Sequence, residues 1–179
     1  MRRSPLLLLL AAAAAAALAA AGWSRSTGDG DGGARGGQAT EGPARVAQVV
    51  RVVDGDTIVV RAGGRTERVR YIGIDTPESV KPGAPVECFA KDAARENRRL
   101  VGGRQVRLVP DVERRDRFGR LLAYVYRAED GRFVNAALLR DGFAQPLTIP
   151  PNVRHAARFR ALAAEARRMG RGLWSTCAG

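Results

Sequence analysis

The stretch VVDGDTIVV, residues 52–60, places two aspartates and a glycine between two apolar, β-branched segments. Val and Ile favour strands and Asp-Gly favours hairpin turns, so the stretch predicts two antiparallel strands joined at residues 54–56. Ordinary turn chemistry explains Asp54 and Asp56 when each is considered alone. Two carboxylates at a buried turn need a further explanation only if other acidic residues accompany them.

A second acidic motif, IDTPE at residues 74–78, follows another predicted strand and adds Asp75 and Glu78. Taken alone, this motif resembles a helix-capping sequence. If the four carboxylates meet, they raise one another's pKa values, and the site then requires a cation. Oxygen ligands of this kind fit a hard divalent ion, Ca²⁺ or Mg²⁺.

The chain is poor in the residues that other hydrolytic and metal sites use. His155 is the only histidine, and Cys88 and Cys177 are the only cysteines. This excludes zinc sites with several His or Cys ligands and argues against Ser-His or Cys-His catalysis, so His155 is expected at the surface or at a helix terminus. In an exported chain the cysteine pair predicts one disulfide, and two unpaired thiols are the alternative.

The N-terminal segment has the pattern of a signal peptide over residues 1–22. Arg2 and Arg3 precede sixteen uninterrupted apolar residues, 6–21. An uncleaved membrane anchor is the alternative, although a spanning helix needs roughly 17 to 25 residues. Export to the medium or periplasm is therefore expected, with no stable membrane partner after cleavage.

Residues 23–43 are rich in glycine and nearly free of apolar side chains, which predicts a flexible linker. The remaining residues, 44–179, suffice for one globular domain. The formal net charge of the chain is +12. Such an excess attracts a polyanion, whether nucleic acid, anionic lipid or cell-wall polymer.

Five segments rich in Val, Ile and Tyr predict strands: RVAQVVRVV, TIVVRA, RTERVRYIGI, QVRLVPDVE and RLLAYVYRA. Helical spacing predicts one helix ending at Gly102, one from Asn135 as N-cap to Gly142, and one after Asn152 ending at Gly170. The last of these carries an apolar stripe up to Met169. This order of elements predicts an α+β fold.

Arg70 in RVRYIG and Arg120 in RFGRLLAYVY supply charges that can bind phosphate oxygens in pairs. Carboxylates, a cation and paired arginines are what hydrolysis of a phosphodiester requires. With 30 arginines and lysines in the chain, spacing alone does not single out these two.

Four motifs, VVDGDTIVV, VRYIGIDTPE, RDRFGRLLAYVY and GLWS, occur in the order and approximate spacing of the staphylococcal nuclease (thermonuclease) family. The resemblance covers residues 46–175. It implies an OB-fold, a five-stranded β-barrel with three α-helices. It also implies a Ca²⁺-dependent phosphodiesterase that cuts DNA and RNA and leaves 3′-phosphate ends, with Mg²⁺ as the less favoured ion.

The resemblance also implies roles for the acidic motifs. Asp56 and Asp75 resemble the metal-ligating carboxylates, and Thr76 resembles a ligand through its backbone carbonyl. Asp54 resembles a residue that supports the metal ligands without binding the ion.

Three further residues resemble the family's catalytic groups. Glu78 resembles the residue that orients or deprotonates the attacking water, and Arg70 and Arg120 resemble those that hold the phosphate. The segment QPLTIPPN, residues 145–152, lacks the tyrosines that the staphylococcal enzyme carries beside the bound base. Phe118 is a further aromatic candidate, and base preference is not predicted.

The expected partners are DNA and RNA, preferably single-stranded or as frayed duplex, and a monomer is expected. A non-catalytic OB-fold module that only binds nucleic acid is the alternative. The complete set of candidate residues favours the enzyme, because a binding module has no physical need of it. Attachment to a cell-wall polymer would explain the charge and the export but not the carboxylates.

Overall fold

The computed structural model describes residues 43–78 and 85–177. The predicted signal peptide, and the predicted linker apart from Pro43, lie outside the described residues. All described residues belong to one compact unit, 38–179. In the ranges described, no helix is long and apolar enough to cross a membrane.

The described residues contain seven strands: β1 Arg45–Val52, β2 Thr57–Ala62, β3 Arg65–Tyr71, β4 Ile74–Asp75, β5 Gln105–Val109, β6 Leu121–Arg127 and β7 Gln145–Pro146. Five of them close into a barrel in the order β1-β2-β3-β6-β5. Adjacent strands of the barrel are antiparallel, except for β3 and β6, which run parallel. The predicted five-stranded OB-fold barrel is therefore confirmed, and β4 and β7 form a small separate sheet.

Within the two described ranges there are also four helices: α1 Ala90–Val101, α2 Val134–Arg140, α3 Ala156–Arg168 and the one-turn α4 Leu173–Thr176. The first three are the predicted helices, which confirms the α+β class. Met169, predicted on the apolar stripe of α3, lies just after that helix and is exposed.

The prediction that Asn135 caps α2 is wrong. Asn135 lies inside α2 and is completely buried. Its Oδ1 accepts the Val125 N–H at 2.9 Å, and its Nδ2 donates to the Ile72 carbonyl at 2.8 Å. A buried amide must be hydrogen-bonded, and here the barrel backbone satisfies it, so Asn135 joins the helix to the barrel.

A disulfide joins Cys88, two residues before α1, to Cys177, the residue that follows α4. The Cα atoms of the two cysteines are 5.9 Å apart, across 89 positions of sequence. Phe89, between Cys88 and α1, has a left-handed backbone and stacks on Phe143 at a ring distance of 5.4 Å. The C-terminal segment is thus bonded covalently to the start of α1.

Candidate active site

The hairpin turn between β1 and β2 is built by its two aspartates. Asp54 Oδ1 accepts the Asp56 N–H at 3.0 Å, which fixes the turn. A Cβ atom at Gly55 would lie 2.6 Å from Thr76 Oγ1, so only glycine permits this approach. The turn therefore brings Asp56 against the segment that follows β4.

The Asp56 side chain is buried and hydrogen-bonded on both oxygens. Oδ1 accepts the Thr57 hydroxyl at 3.1 Å. Oδ2 accepts the Thr76 N–H at 2.9 Å and the Thr76 hydroxyl at 3.0 Å. Thr76, predicted as a ligand through its carbonyl, thus also binds Asp56 through its other polar groups.

Arg70 joins two of the predicted metal ligands. Its Nη1 lies 2.9 Å from Asp56 Oδ2, and its Nη2 lies 2.7 Å from Asp75 Oδ1. Nη1 also donates to the carbonyls of Tyr71 at 3.2 Å and Ile74 at 2.9 Å. Sequence reasoning assigned Arg70 to phosphate and did not foresee its contacts with the carboxylates.

Burial raises the pKa of Asp56 to about 7. The charge of Arg70 lowers this pKa, whereas the nearby carboxylates of Asp54 and Asp75 raise it. The Arg70 guanidinium therefore offsets only part of the cost of ionising this carboxyl group, and a second cation would offset more of it.

One small polar cavity, of about 50 Å³, is lined by every predicted site residue: Asp54, Asp56, Arg70, Asp75, Thr76, Glu78 and Arg120. A volume of this size accommodates one or two water-sized species. Its acidic oxygens and the raised pKa of Asp56 fit a hard cation. In the described part of the chain, no three acidic, His or Cys side chains already converge as a metal-binding group.

Glu78 is half-buried at the end of the first described range. Its N–H donates to Glu87 Oε2 at 2.9 Å, and its carbonyl accepts the Glu87 N–H at 3.0 Å. Both contacts lie on the backbone, so they position Glu78 at the cavity through its main chain.

Arg120 is held by a residue that sequence reasoning missed. Asp116 Oδ2 accepts the Arg120 Nε–H at 2.6 Å, and Asp116 Oδ1 accepts the N–H groups of Arg120 at 2.9 Å and Phe118 at 3.0 Å. An acidic residue four positions before the arginine, in DRFGR, was the available signal. An acidic residue four positions before an arginine is common in so highly charged a chain, so the spacing alone does not identify the pair. The turn geometry brings Asp116 and Arg120 together.

Comparisons with known proteins identify the family of this chain. The family model described as staphylococcal nuclease homologue matches residues 68–176. The thermonuclease of Staphylococcus hyicus is 37% identical over 128 residues, which cover 72% of this chain and 75% of that relative. The chain belongs to the staphylococcal nuclease family. This result confirms the family predicted from the four motifs.

Two further relatives support the same class. The thermonuclease of Staphylococcus intermedius is 38% identical over 126 residues, covering 70% of this chain and 74% of the relative. Endonuclease YncB of Bacillus subtilis (strain 168) is 40% identical over 127 residues, which cover 70% of this chain and 59% of that relative. The prediction of a nuclease, a hydrolase acting on nucleic acid, is thereby confirmed.

A larger cavity adjoins the small polar one in this member of the staphylococcal nuclease family. It has a volume of about 450 Å³, and Arg70 and Arg120 line both cavities. Phe118, Leu147 and Ile149 give the larger cavity an apolar wall. Leu147 and Ile149 lie in the segment without tyrosines, so the wall there is aliphatic.

Proposed function

We propose that this nuclease hydrolyses the phosphodiester bonds of DNA and RNA with Ca²⁺ as its cofactor and leaves products with 3′-phosphate ends. The observation that carries the proposal is the small polar cavity, because the fold brings seven residues from distant parts of the chain to its walls. Acidic oxygens and guanidinium groups at one place suit a phosphodiester and a hard cation.

Asp56, Asp75 and the carbonyl of Thr76 are the groups that would hold the ion. When bound, Ca²⁺ would supply positive charge that offsets the carboxylates and the phosphate oxygens. Asp54 would support this set by fixing the N–H of Asp56, as it does in the turn. We favour Ca²⁺ over Mg²⁺ on the family resemblance alone.

The remaining residues of the site would act on the substrate and the attacking water. Glu78 would accept a proton from that water. Arg120, oriented by Asp116, would donate to the phosphate oxygens as negative charge develops on them. Arg70 would add a second guanidinium, provided that its contacts with Asp56 and Asp75 rearrange when the cation takes their charge.

We also propose that unpaired strands, whether single-stranded nucleic acid or frayed duplex, are the preferred substrate. The larger cavity is walled by apolar side chains and adjoins both arginines. A base reaches such a cavity only when it is not paired and stacked in a duplex. Aliphatic side chains offer a base no aromatic face to stack on, so Leu147 and Ile149 are expected to contribute less binding free energy than aromatic residues would.

We further propose that the protein is a monomer in the medium or periplasm. The apolar N-terminal segment supports export, and the disulfide supports an oxidising compartment. Mass spectrometry of the exported protein should find a chain that begins near Trp23. An intact N-terminus in the membrane fraction would instead support the anchored form.

The test of the catalytic proposal is a nuclease assay on the purified protein with Ca²⁺, with Mg²⁺ and with a chelator. Cleavage of DNA and RNA that requires Ca²⁺, with products that gain extendable 3′ ends only after phosphatase treatment, is the expected result. Cleavage at full rate in chelator would overturn the metal requirement. Binding of nucleic acid without cleavage under any of the three conditions would establish the non-catalytic module.

A further inference from the structure

A third concave surface adjoins the small polar cavity and the larger cavity on the side of the β2–β3 hairpin. We call it the hairpin groove; it has a volume of about 210 Å³ and is lined by Thr66, Glu67, Arg68, Arg115, Phe118, Gly119 and Arg120. An overlapping cavity of about 260 Å³ is lined by Arg68, Phe118 and Arg120. The reaction proposed above uses Arg120 and leaves the rest of this groove without a role.

Arg68 continues the line of guanidinium groups from the small polar cavity. It precedes Arg70 by two residues on β3, and side chains two apart point to the same side of a strand. Their Cα atoms are thus roughly 6.8 Å apart along the strand. Val69, between them, is completely buried on the barrel side. Arg68 and Arg70 therefore face outward together.

Arg68 is the cation of the groove that is available to a ligand. It is exposed, and among the residues that the structure describes its side chain has no hydrogen-bond or ion-pair partner. Arg115, by contrast, donates from Nη1 to the Gly119 carbonyl at 2.7 Å and from Nη2 to Glu67 Oε2 at 2.5 Å. Arg115 therefore shapes the groove, whereas Arg68 can form a new contact.

Glu67 is the carboxylate that lines the hairpin groove. Its Oε1 accepts Arg45 Nη1 at 3.1 Å, while its Oε2 accepts Arg115. The hydrogen bond from Arg115 lowers the pKa of Glu67, so the carboxylate stays ionised and paired. With this charge shared between two arginines, Arg68 and Arg120 leave the groove net positive.

Phe118 lines both the hairpin groove and the larger cavity, as Arg120 does. Its side chain is 68% exposed, and the guanidinium carbons of Arg117 and Arg120 lie 4.8 and 5.5 Å from its ring centroid. Exposure of so large an apolar ring among cations contributes little to folding. It suits a surface over which a base or sugar lies while phosphates contact the arginines.

We propose that the hairpin groove binds the phosphate adjacent to the one that is cleaved, on the same nucleic-acid strand, with Arg68 as the direct contact. The inference rests on the proposed function. It makes the substrate a polynucleotide with at least two successive phosphates, rather than an isolated phosphodiester. An excess of positive charge attracts such a strand, and Arg68 lies two residues along β3 from Arg70, which lines the small polar cavity.

The test compares a thymidine octanucleotide, which has several phosphates, with a thymidine dinucleoside monophosphate, which has one. In the Arg68→Ala variant, the ratio of kcat/KM for the octanucleotide to that for the dinucleotide should fall about tenfold. Arg68→Lys should keep most of the ratio, because it keeps the charge. Arg168→Ala is the matched control, since Arg168 is exposed in the last turn of α3 outside the groove.

Salt dependence gives a second measurement that does not require cleavage. The affinity of the protein for the octanucleotide, measured by fluorescence anisotropy in chelator, falls with salt by a slope of about 0.7 per phosphate contacted. Arg68→Ala should reduce that slope by about 0.7, and Arg168→Ala should leave it unchanged.

The possible results separate this inference from the proposed function. An unchanged substrate ratio and an unchanged salt slope in Arg68→Ala would overturn the phosphate contact. Equal losses in Arg68→Ala and Arg168→Ala would show bulk charge instead. If the wild type cleaves neither substrate, the proposed function fails, while the anisotropy slopes still decide whether Arg68 contacts a phosphate.

Discussion

Asp116 holds Arg120 through both the side chain and the backbone of the arginine. The Nε–H of Arg120 donates to Asp116 Oδ2 at 2.6 Å, and its backbone N–H donates to Asp116 Oδ1 at 2.9 Å. Because the carboxylate occupies the Nε side, it sets the direction of the terminal nitrogens. Arg120 lines the small polar cavity, the larger cavity and the hairpin groove, so this one pair orients a cation shared by all three.

Asp116→Asn should therefore lower kcat about tenfold. A hydrogen bond to a charged group contributes about 1.5–3 kcal/mol. The amide has one acceptor oxygen in place of two, so it cannot keep both the bond from the Arg120 Nε–H and those from the backbone N–H groups. Steady-state kinetics on an oligonucleotide measure the effect. Asp130→Asn is the control, because Asp130 accepts the Nε–H of Arg127 at 2.9 Å away from these cavities. Wild-type kcat in Asp116→Asn would show that Arg120 needs no such orientation.

The same pair predicts a pH dependence of stability. Partial burial raises the pKa of Asp116, but the hydrogen bonds from Arg120 lower it by more. The pKa of Asp116 in the folded protein is therefore below its ordinary value. A carboxylate whose pKa is lower in the folded state than in the unfolded state stabilises the protein at pH values above its unfolded-state pKa. This contribution is lost as the pH falls through the folded-state pKa. The Tm difference between wild type and Asp116→Asn should therefore be full at neutral pH and vanish in acid. A difference that persists at the lowest pH would show that the charge of Asp116 is not its cause.

Glu78→Gln should slow hydrolysis by about 10² or more, the scale expected when a general base is lost. The amide has nearly the size and shape of the carboxylate, and it leaves unchanged the backbone hydrogen bonds of Glu78 to Glu87. The fold and most substrate binding should therefore stay intact. Single-turnover kinetics and anisotropy separate the two effects. Glu129→Gln, in the exposed pair with Arg104, is the control. Near-wild-type turnover in a folded Glu78→Gln protein would remove Glu78 from the mechanism.

Arg70→Lys should impair both activity and stability. One ammonium group cannot reproduce the contacts that two guanidinium nitrogens make with Asp56, Asp75 and two carbonyls. We expect kcat/KM to fall more than 10²-fold and Tm to decrease. Arg68→Lys, on the same face of β3, is the control for Tm. A variant that is less stable but fully active would limit Arg70 to holding the carboxylates.

The sequence predicted the barrel well because its strands are long and β-branched. The segment TIVVRA coincides with β2, residue for residue. The predicted strand RTERVRYIGI, however, is interrupted after Tyr71, and its end pairs separately as β4. The interruption depends on Gly73, where a Cβ atom would lie 2.6 Å from the Phe159 ring. That contact comes from α3 and has no signal in the local pattern.

The candidate site was predicted by residue type and motif, but its ion pairs were not. All seven metal-site and catalytic candidates from the motifs line the small polar cavity, together with Thr57 and Pro77, and their roles stay predictions. Sequence reasoning placed Arg70 and Arg120 on phosphate and did not foresee their carboxylate partners, Asp56 and Asp116. The Arg70–Asp56 pair depends on the folded barrel and the Arg120–Asp116 pair on the geometry of a turn. Composition and spacing among 30 basic and 18 acidic residues therefore do not determine either pair. The strand β7 has only two residues, which is too short for a periodic pattern, so the sequence does not predict it.

The disulfide is predicted to stabilise the fold without contributing to catalysis. Cys88 and Cys177 close a loop across 89 positions, which in the chain-entropy model contributes roughly 4 kcal/mol to the free energy of unfolding. The double variant Cys88→Ala/Cys177→Ala should lose about that amount in urea denaturation, and reduction of the wild type should have the same effect. Neither cysteine lines the small polar cavity, so the metal requirement and kcat of the folded variant should be unchanged.

The double variant is also the control for the reductant, because it has no disulfide to reduce and its urea midpoint should not respond. The urea midpoint tests the predicted contribution to stability, and kcat tests the predicted absence of a catalytic contribution. Equal urea midpoints for oxidised and reduced wild type would show that the closed loop contributes no stability. A folded double variant with a lowered kcat would show that the bond between α1 and the C-terminal segment also orders the site, through Glu87, which lies beside Cys88 and accepts the Glu78 N–H.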